Sequence, residues 1–130
     1  MRQTISSSSP FEEIAGYSRA VRVGDLVFVA GTTGWGPDGR IIDGGAYGQA
    51  VQCIDNIRVA LEKAGASLAD VVRTRMYVID MSTADQVTRA HKEAFDAVRP
   101  AATLLEVRAL ATPDMLVEIE VDAVIDGSGA

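Results

Sequence analysis

A chain of 130 residues carries 12 Lys and Arg against 18 Asp and Glu, a net charge of −6. That balance lacks the basic surplus a phosphate backbone demands and argues against a nucleic-acid partner. With 48% hydrophobic but only 5% aromatic residues, it predicts one domain over 1–130, whose core of Ala, Val, Ile and Leu gains from burial in an oligomer. No run approaches the ~18 apolar residues of a membrane span, and MRQTISSSSP lacks a signal-peptide run. The single Cys53 excludes an internal disulfide, so a cytoplasmic location with no membrane partner is expected.

In chain order, a short strand at 3–5 leads into a Ser-rich, Pro-broken loop reaching residue 16. Apolar-rich runs at 20–23 and 26–30 flank Gly24-Asp25, which predicts a hairpin with Gly at the position needing positive φ. Residues 31–45 are too rich in glycine for regular structure, and Pro37-Asp38-Gly39 carries turn chemistry. Ala50, Ile54, Ile57, Leu61 and Ala64 recur at three- and four-residue steps, predicting a helix over 46–64 with Gly65 as its C-terminal cap. A capped turn at 67–70 precedes a strand over 72–79. A second helix starts after Ser82 or Thr83, aligns Val87, His91, Ala94, Phe95 and Val98 on one face, and stops before Pro100. Strands over 103–110 and 116–125 finish the chain. This order predicts an α+β fold: a single domain with a six-stranded mixed sheet and two helices packed on one face.

Alternation gives the later strands two faces. Val117, Ile119 and Val121 oppose Glu118, Glu120 and Asp122, while Met76 and Val78 oppose Arg73, Arg75 and Tyr77. In the 103–110 strand, Leu105 and Val107 oppose Leu104, Glu106 and Arg108. Each strand thus turns an apolar side to the helices. The charged side is either solvated, with cross-strand ion pairs of roughly 0.2–1 kcal/mol each, or roofed by other subunits to form polar pockets. Pattern alone leaves both open.

Three segments resemble the RidA/YjgF family: AGYSRAVRVGDLVFVAGTTG, NIRVALEKAGASLADVVRTRMYVID and RPAATLLEVRALATPDMLVEIEVDAVI. The resemblance implies a chorismate mutase-like fold and a homotrimer with small-molecule clefts at its subunit interfaces. It also implies cofactor-free hydrolysis of reactive enamines and imines to keto acids and ammonia. Tyr17 then corresponds to the family's cleft tyrosine, Gly31 to its backbone-contact glycine and Glu118 to its water-positioning glutamate. Ala102 stands where the family has the arginine that holds the substrate carboxylate, Ala30 where it has a small polar residue, and Leu104 where a cysteine is frequent. Arg89 falls at the place of an asparagine in the second helix. Losing two charge-assisted hydrogen bonds of roughly 1.5–3 kcal/mol each costs about 10²–10⁴ in affinity for a carboxylate. Arg75, Arg73 or Arg89 is the candidate replacement, and Ala102 with Leu104 makes a wider, more apolar cleft.

The expected site therefore has Glu118 as the catalytic carboxylate, its rival role being an ion pair with Arg75 or Arg108. Tyr17, Gly31, Thr32, Thr33, Arg75, Arg89, Ala102, Thr103 and Leu104 form the expected substrate-binding set. Glu120 reads as structural. His91 reads as a hydrogen-bonded residue at the core edge and Cys53 as buried and inert. One His and one Cys cannot build a zinc site, and the Gly31–Gly39 stretch lacks the Gly-Lys-Ser/Thr end of a phosphate loop, so no metal is expected. Trp35 either roofs the cleft or caps the core. Two functions follow: a deaminase-like hydrolase acting on C–N bonds of imines or enamines, or a non-catalytic small-molecule-binding or protein-interaction trimer. A ribonuclease fits the acidic charge least.

Overall fold

The computed structural model describes residues 1–126. Strand β1 (Arg2–Ile5) is followed, where a loop is expected, by a short helix, α1 (Pro10–Ala15). Its local signals are complete: the Ser9 hydroxyl accepts from Phe11 N–H, Pro10 opens the first turn, and Gly16 closes it at φ 77°. Six residues are too few to display a helical period, which is why pattern reading passed over it.

The hairpin forms as expected, β2 (Ala20–Val23) pairing with β3 (Leu26–Thr32) around Gly24 at φ 59°. Helix α2 (Gly45–Lys63) leads through a 3₁₀ turn (Leu68–Asp70) into β4 (Val71–Val78). A second 3₁₀ turn (Met81–Thr83) opens α3 (Ala84–Phe95), and β5 (Ala101–Glu106) and β6 (Val117–Val124) complete the sheet. Strand order is β1-β2-β3-β6-β4-β5; β4 and β5 run parallel and every other pair antiparallel. The expected six-stranded mixed sheet is therefore the one found.

The core fills the space between sheet and helices. Val27 and Val29 of β3, Ile119 and Val121 of β6, and Met76 and Val78 of β4 are buried with Cys53, Ile57 and Leu61 of α2 and Val87 and Phe95 of α3. Along β6, buried and half-buried residues alternate without a break, with Glu118, Glu120 and Asp122 on the side away from the core.

Two features of the sheet depart from the expectation and both bear on the site. The first is β5, which ends at Glu106 rather than at 110 and presents the opposite face. Its parallel register sets Leu104 beside buried Met76 and Leu105 beside Tyr77, so Leu104 packs on the core while Leu105 is 50% exposed. Two adjacent leucines give no alternation to read, and only pairing with β4 decides which turns inward. Ala102 pairs with core-facing Thr74 and Thr103 with Arg75, so Ala102 and Thr103 lie on opposite sides of the sheet. The second feature is a bulge. Between the pairs Val29–Val121 and Thr32–Ile119, β3 carries one residue more than β6, and the extra length falls at Ala30-Gly31. Such a bulge bends the strand and re-aims its side chains.

Candidate functional site

A cavity of about 680 Å3 opens beside that bulge. Ser9, Pro10 and Phe11 of α1 form one wall; Tyr17 and Arg19, at the entry to β2, form the next. Ala30 and Gly31 line it from β3, Thr33 from just past the end of that strand, and Glu118 from β6. Trp35 and Ile41 arrive on the Gly-rich connection, Ala111, Asp114 and Met115 on the loop before β6.

Both loops are tied down by side chains of α2. Asn56 Nδ2 donates to the carbonyls of Thr33 at 3.0 Å and Trp35 at 3.1 Å. Buried Gln49 donates from Nε2 to Asp114 O and accepts at Oε1 from Leu116 N–H, each at 2.9 Å. Trp35 also pairs with Ile41 in an isolated antiparallel bridge. These bonds satisfy backbone groups of irregular segments and hold Trp35 as a fixed wall of the cavity.

Glu118 reaches the cavity because the alternation of β6 sends it away from the core, toward Gly31. A Cβ built on residue 31 would overlap Oε2 of Glu118 and lie 3.0 Å from its Cδ. The missing side chain at 31 is thus the space in which the carboxylate sits. Burial pushes the Glu118 pKa above the usual carboxylate range; Arg19 opposes this and the nearby charge of Glu120 adds to it.

Arg19 is a cavity residue that the sequence alone does not single out. It is 3% exposed. Nη1 donates to Gly31 O at 2.6 Å and Thr32 Oγ1 at 3.1 Å, and Nη2 donates to Tyr17 Oη at 3.3 Å. Nε lies 3.6 Å from Oε2 of Glu12, which is 8% exposed, and makes no hydrogen bond. The guanidinium carbon is 5.0 Å from the Trp35 ring centroid and 5.6 Å from that of Tyr17, so two aromatic rings flank the cation. Glu12 is held in turn by Ser7, whose backbone N–H donates at 3.1 and 3.2 Å and whose hydroxyl also donates to it. The available signal was the Tyr-x-Arg spacing, which sends both side chains to one side of an extended chain.

Of the expected set, Tyr17, Gly31, Thr33 and Glu118 line the cavity together. Thr32 lies behind the wall, fully buried, accepting from Arg19 and donating to Ala30 O at 2.7 Å. The others lie elsewhere in the chain. Arg75 pairs with Glu120 at 3.8 Å and Asp122 at 3.5 Å on the open face of the sheet. Arg89 stacks on the Tyr47 ring at 3.9 Å from α3. Ala102, Thr103 and Leu104 sit on the edge strand β5, with β4 and β6 between them and β3. His91 faces Thr74 Oγ1 across 2.8 Å and lies 4.8 Å from the Phe95 ring, with its pKa lowered by burial. Cys53 is buried, and burial pushes its thiol pKa up. Among the described residues no three His, Cys, Asp or Glu side chains come together as metal ligands, and no helix is long and apolar enough to cross a membrane.

Comparison with known proteins places this arrangement. A family model described as Endoribonuclease L-PSP matches residues 7–125. An uncharacterized protein of Streptomyces coelicolor is 40% identical over 119 residues, covering 92% of this chain and 89% of that one. The mouse 2-iminobutanoate/2-iminopropanoate deaminase is 32% identical over 125 residues, covering 95% and 92%. Among solved structures, Rv2704 of Mycobacterium tuberculosis, described as a member of the YjgF/YER057c/UK114 family, superposes with a TM-score of 0.87 at 49% identity, over 96% of this chain and all of that one. The chain belongs to the RidA/YjgF family.

Proposed function

We propose that the cavity binds a small imine or enamine and hydrolyses its C–N bond, with Glu118 moving the protons. The observation that carries this reading is the Glu118 carboxylate, half-buried over the bare Cα of Gly31 and opposite an apolar wall. A carboxylate whose pKa is raised by burial is a better base toward water than an exposed one. Water oxygen bonds to the imine carbon while Glu118 takes the water proton, and the C=N electron pair moves to nitrogen, which receives that proton. The remaining hydroxyl proton then follows the same route to nitrogen. The C–N bond breaks, and ammonia leaves a carbonyl product. An enamine enters the same sequence after protonation on carbon. The similarity to the mouse deaminase supports this chemistry.

The test is ammonia release from imines generated in situ. Release above the buffer rate, proportional to protein and saturable in imine, is expected. Saturable binding with release at the buffer rate would instead establish the non-catalytic binding module, the reading that Ala102 in place of the arginine favours.

The open face of the sheet bears on assembly. It exposes Phe28 at 45% and Leu105 at 50% beside the Arg75, Glu120 and Asp122 charges. In our reading, copies of the chain cover this apolar surface in a homotrimer, and the β5 edge with Ala102 and Thr103 closes the cavity of the next protomer. Sedimentation equilibrium is expected to return three times the chain mass; a stable monomer would refute the assembly.

A further inference from the structure

We infer that the Glu12–Arg19 pair is a specificity device that makes the cavity take imines without a carboxylate, bearing an apolar group and a neutral or protonated nitrogen. The inference rests on the hydrolytic reading above and names its substrate class.

Among the described residues Arg19 is the one buried cation, and its donors are largely engaged. Nη1 is committed to Gly31 O and Thr32 Oγ1, and Nη2 to Tyr17 Oη. The Nε side, which together with Nη2 forms the fork that suits a carboxylate, faces Glu12 Oε2 at 3.6 Å. Glu12 cannot swing aside freely, because the backbone and hydroxyl of Ser7 both hold its carboxylate. The chain therefore supplies its own carboxylate to the buried arginine beside the cavity. A second carboxylate, from a ligand, would have to share the Nε–Nη2 side with Glu12 and would approach both Glu12 and Glu118. Burying an anion without a partner beside two like charges is strongly unfavourable. Arg40, the other cation on the wall, is solvent-exposed, where water and salt weaken its pull.

The rest of the lining fits the complementary ligand. Phe11, Trp35, Ile41 and Met115 offer apolar and aromatic surface, and Glu118 attracts a protonated imine nitrogen to the atom that exchanges its protons. Rejection of the carboxylate by a built-in like charge is selection by repulsion, which discriminates between ligands of equal size.

A matched pair tests this. Oxidation of 1-phenylethylamine and of phenylglycine in situ yields imines that differ only in a methyl or a carboxylate on the imine carbon. The protein is expected to hydrolyse the methyl imine with a kcat/KM at least about tenfold above the carboxylated one, and Glu12→Gln is expected to narrow that ratio about tenfold by freeing the fork of Arg19. Equal rates, or a preference for the carboxylated imine, would overturn the inference while leaving hydrolysis intact. If neither imine is hydrolysed above the buffer rate, the hydrolytic reading fails by itself. The selectivity is then decided by the stable ketone products, acetophenone against phenylglyoxylate, with binding read from Trp35 emission. Tighter acetophenone binding upholds the specificity, and equal or reversed affinities overturn it.

Discussion

Glu118→Gln is expected to slow ammonia release by about 10²–10⁴-fold, the range for loss of a positioned general base, with the fold preserved. Glutamine keeps the shape and the hydrogen-bonding atoms but cannot carry a proton from water to nitrogen. No ion pair is broken, since the described salt bridges of the open face run from Arg75 to Glu120 and Asp122. The substitution also removes an ionised group that burial disfavours, so unfolding midpoints at neutral pH are expected to hold or rise. The sign follows from linkage: a carboxyl whose folded pKa is raised adds stability below its unfolded pKa, and that contribution is lost as pH rises through the folded value. Activity runs the other way, because the ionised form is the base. The wild-type rate falls as pH drops through the raised pKa of Glu118, so its acid limb lies above the ~4.3 of an exposed glutamate. That limb is expected to vanish in the variant. Full activity in Glu118→Gln would remove this residue from the chemistry.

The largest effect on stability is expected at Phe95. It heads the fully buried side chains, is 1% exposed and lies against the His91 ring at the end of α3. Phe95→Ala removes the one aromatic ring from a described core cluster otherwise built of aliphatic side chains, Met76 and Cys53. The expected loss is about 3–5 kcal/mol, read as a lower denaturation midpoint in urea with an unchanged slope. A loss below about 1 kcal/mol would mean that α3 does not pack as described. The cavity lined by Glu118 lies on the other side of the sheet, so activity of the folded fraction is expected to survive.

How much of this was legible in the sequence differs from element to element, for physical reasons. Helices α2 and α3 have apolar residues at three- and four-residue steps, β6 alternates strictly, and Gly24 marks its turn; each is a local signal. The face of β5 is not local, because Leu104 and Leu105 break the alternation and the register with β4 decides. Helix α1 carries a cap at each end but no period between them. Tyr17, Gly31 and Glu118 are expected from their place in the family pattern, and they line one cavity together with Thr33. Arg19 escaped because its place depends on Gly31 and Thr32, 12 and 13 residues away, and on the glutamate of an unforeseen helix. Arg75 is one of three candidates, with Arg73 and Arg89, to replace the missing arginine. In the folded chain it meets carboxylates on β6, the strand beside its own, which a single strand read alone does not reveal. The Gly-rich connection gives no hint of where Trp35 lies, because its carbonyl is held by Asn56 of α2, 21 residues away.

Trp35 is the single tryptophan of the chain and stands in the cavity wall beside Arg19, so its emission reports directly on whether that space is filled. Titration with acetophenone, the stable product ketone of the carboxylate-free imine, is expected to change Trp35 emission saturably, and with the same midpoint at which the ketone inhibits ammonia release. Emission that stays constant through concentrations giving full inhibition would place the ligand elsewhere and contradict the assignment of this cavity.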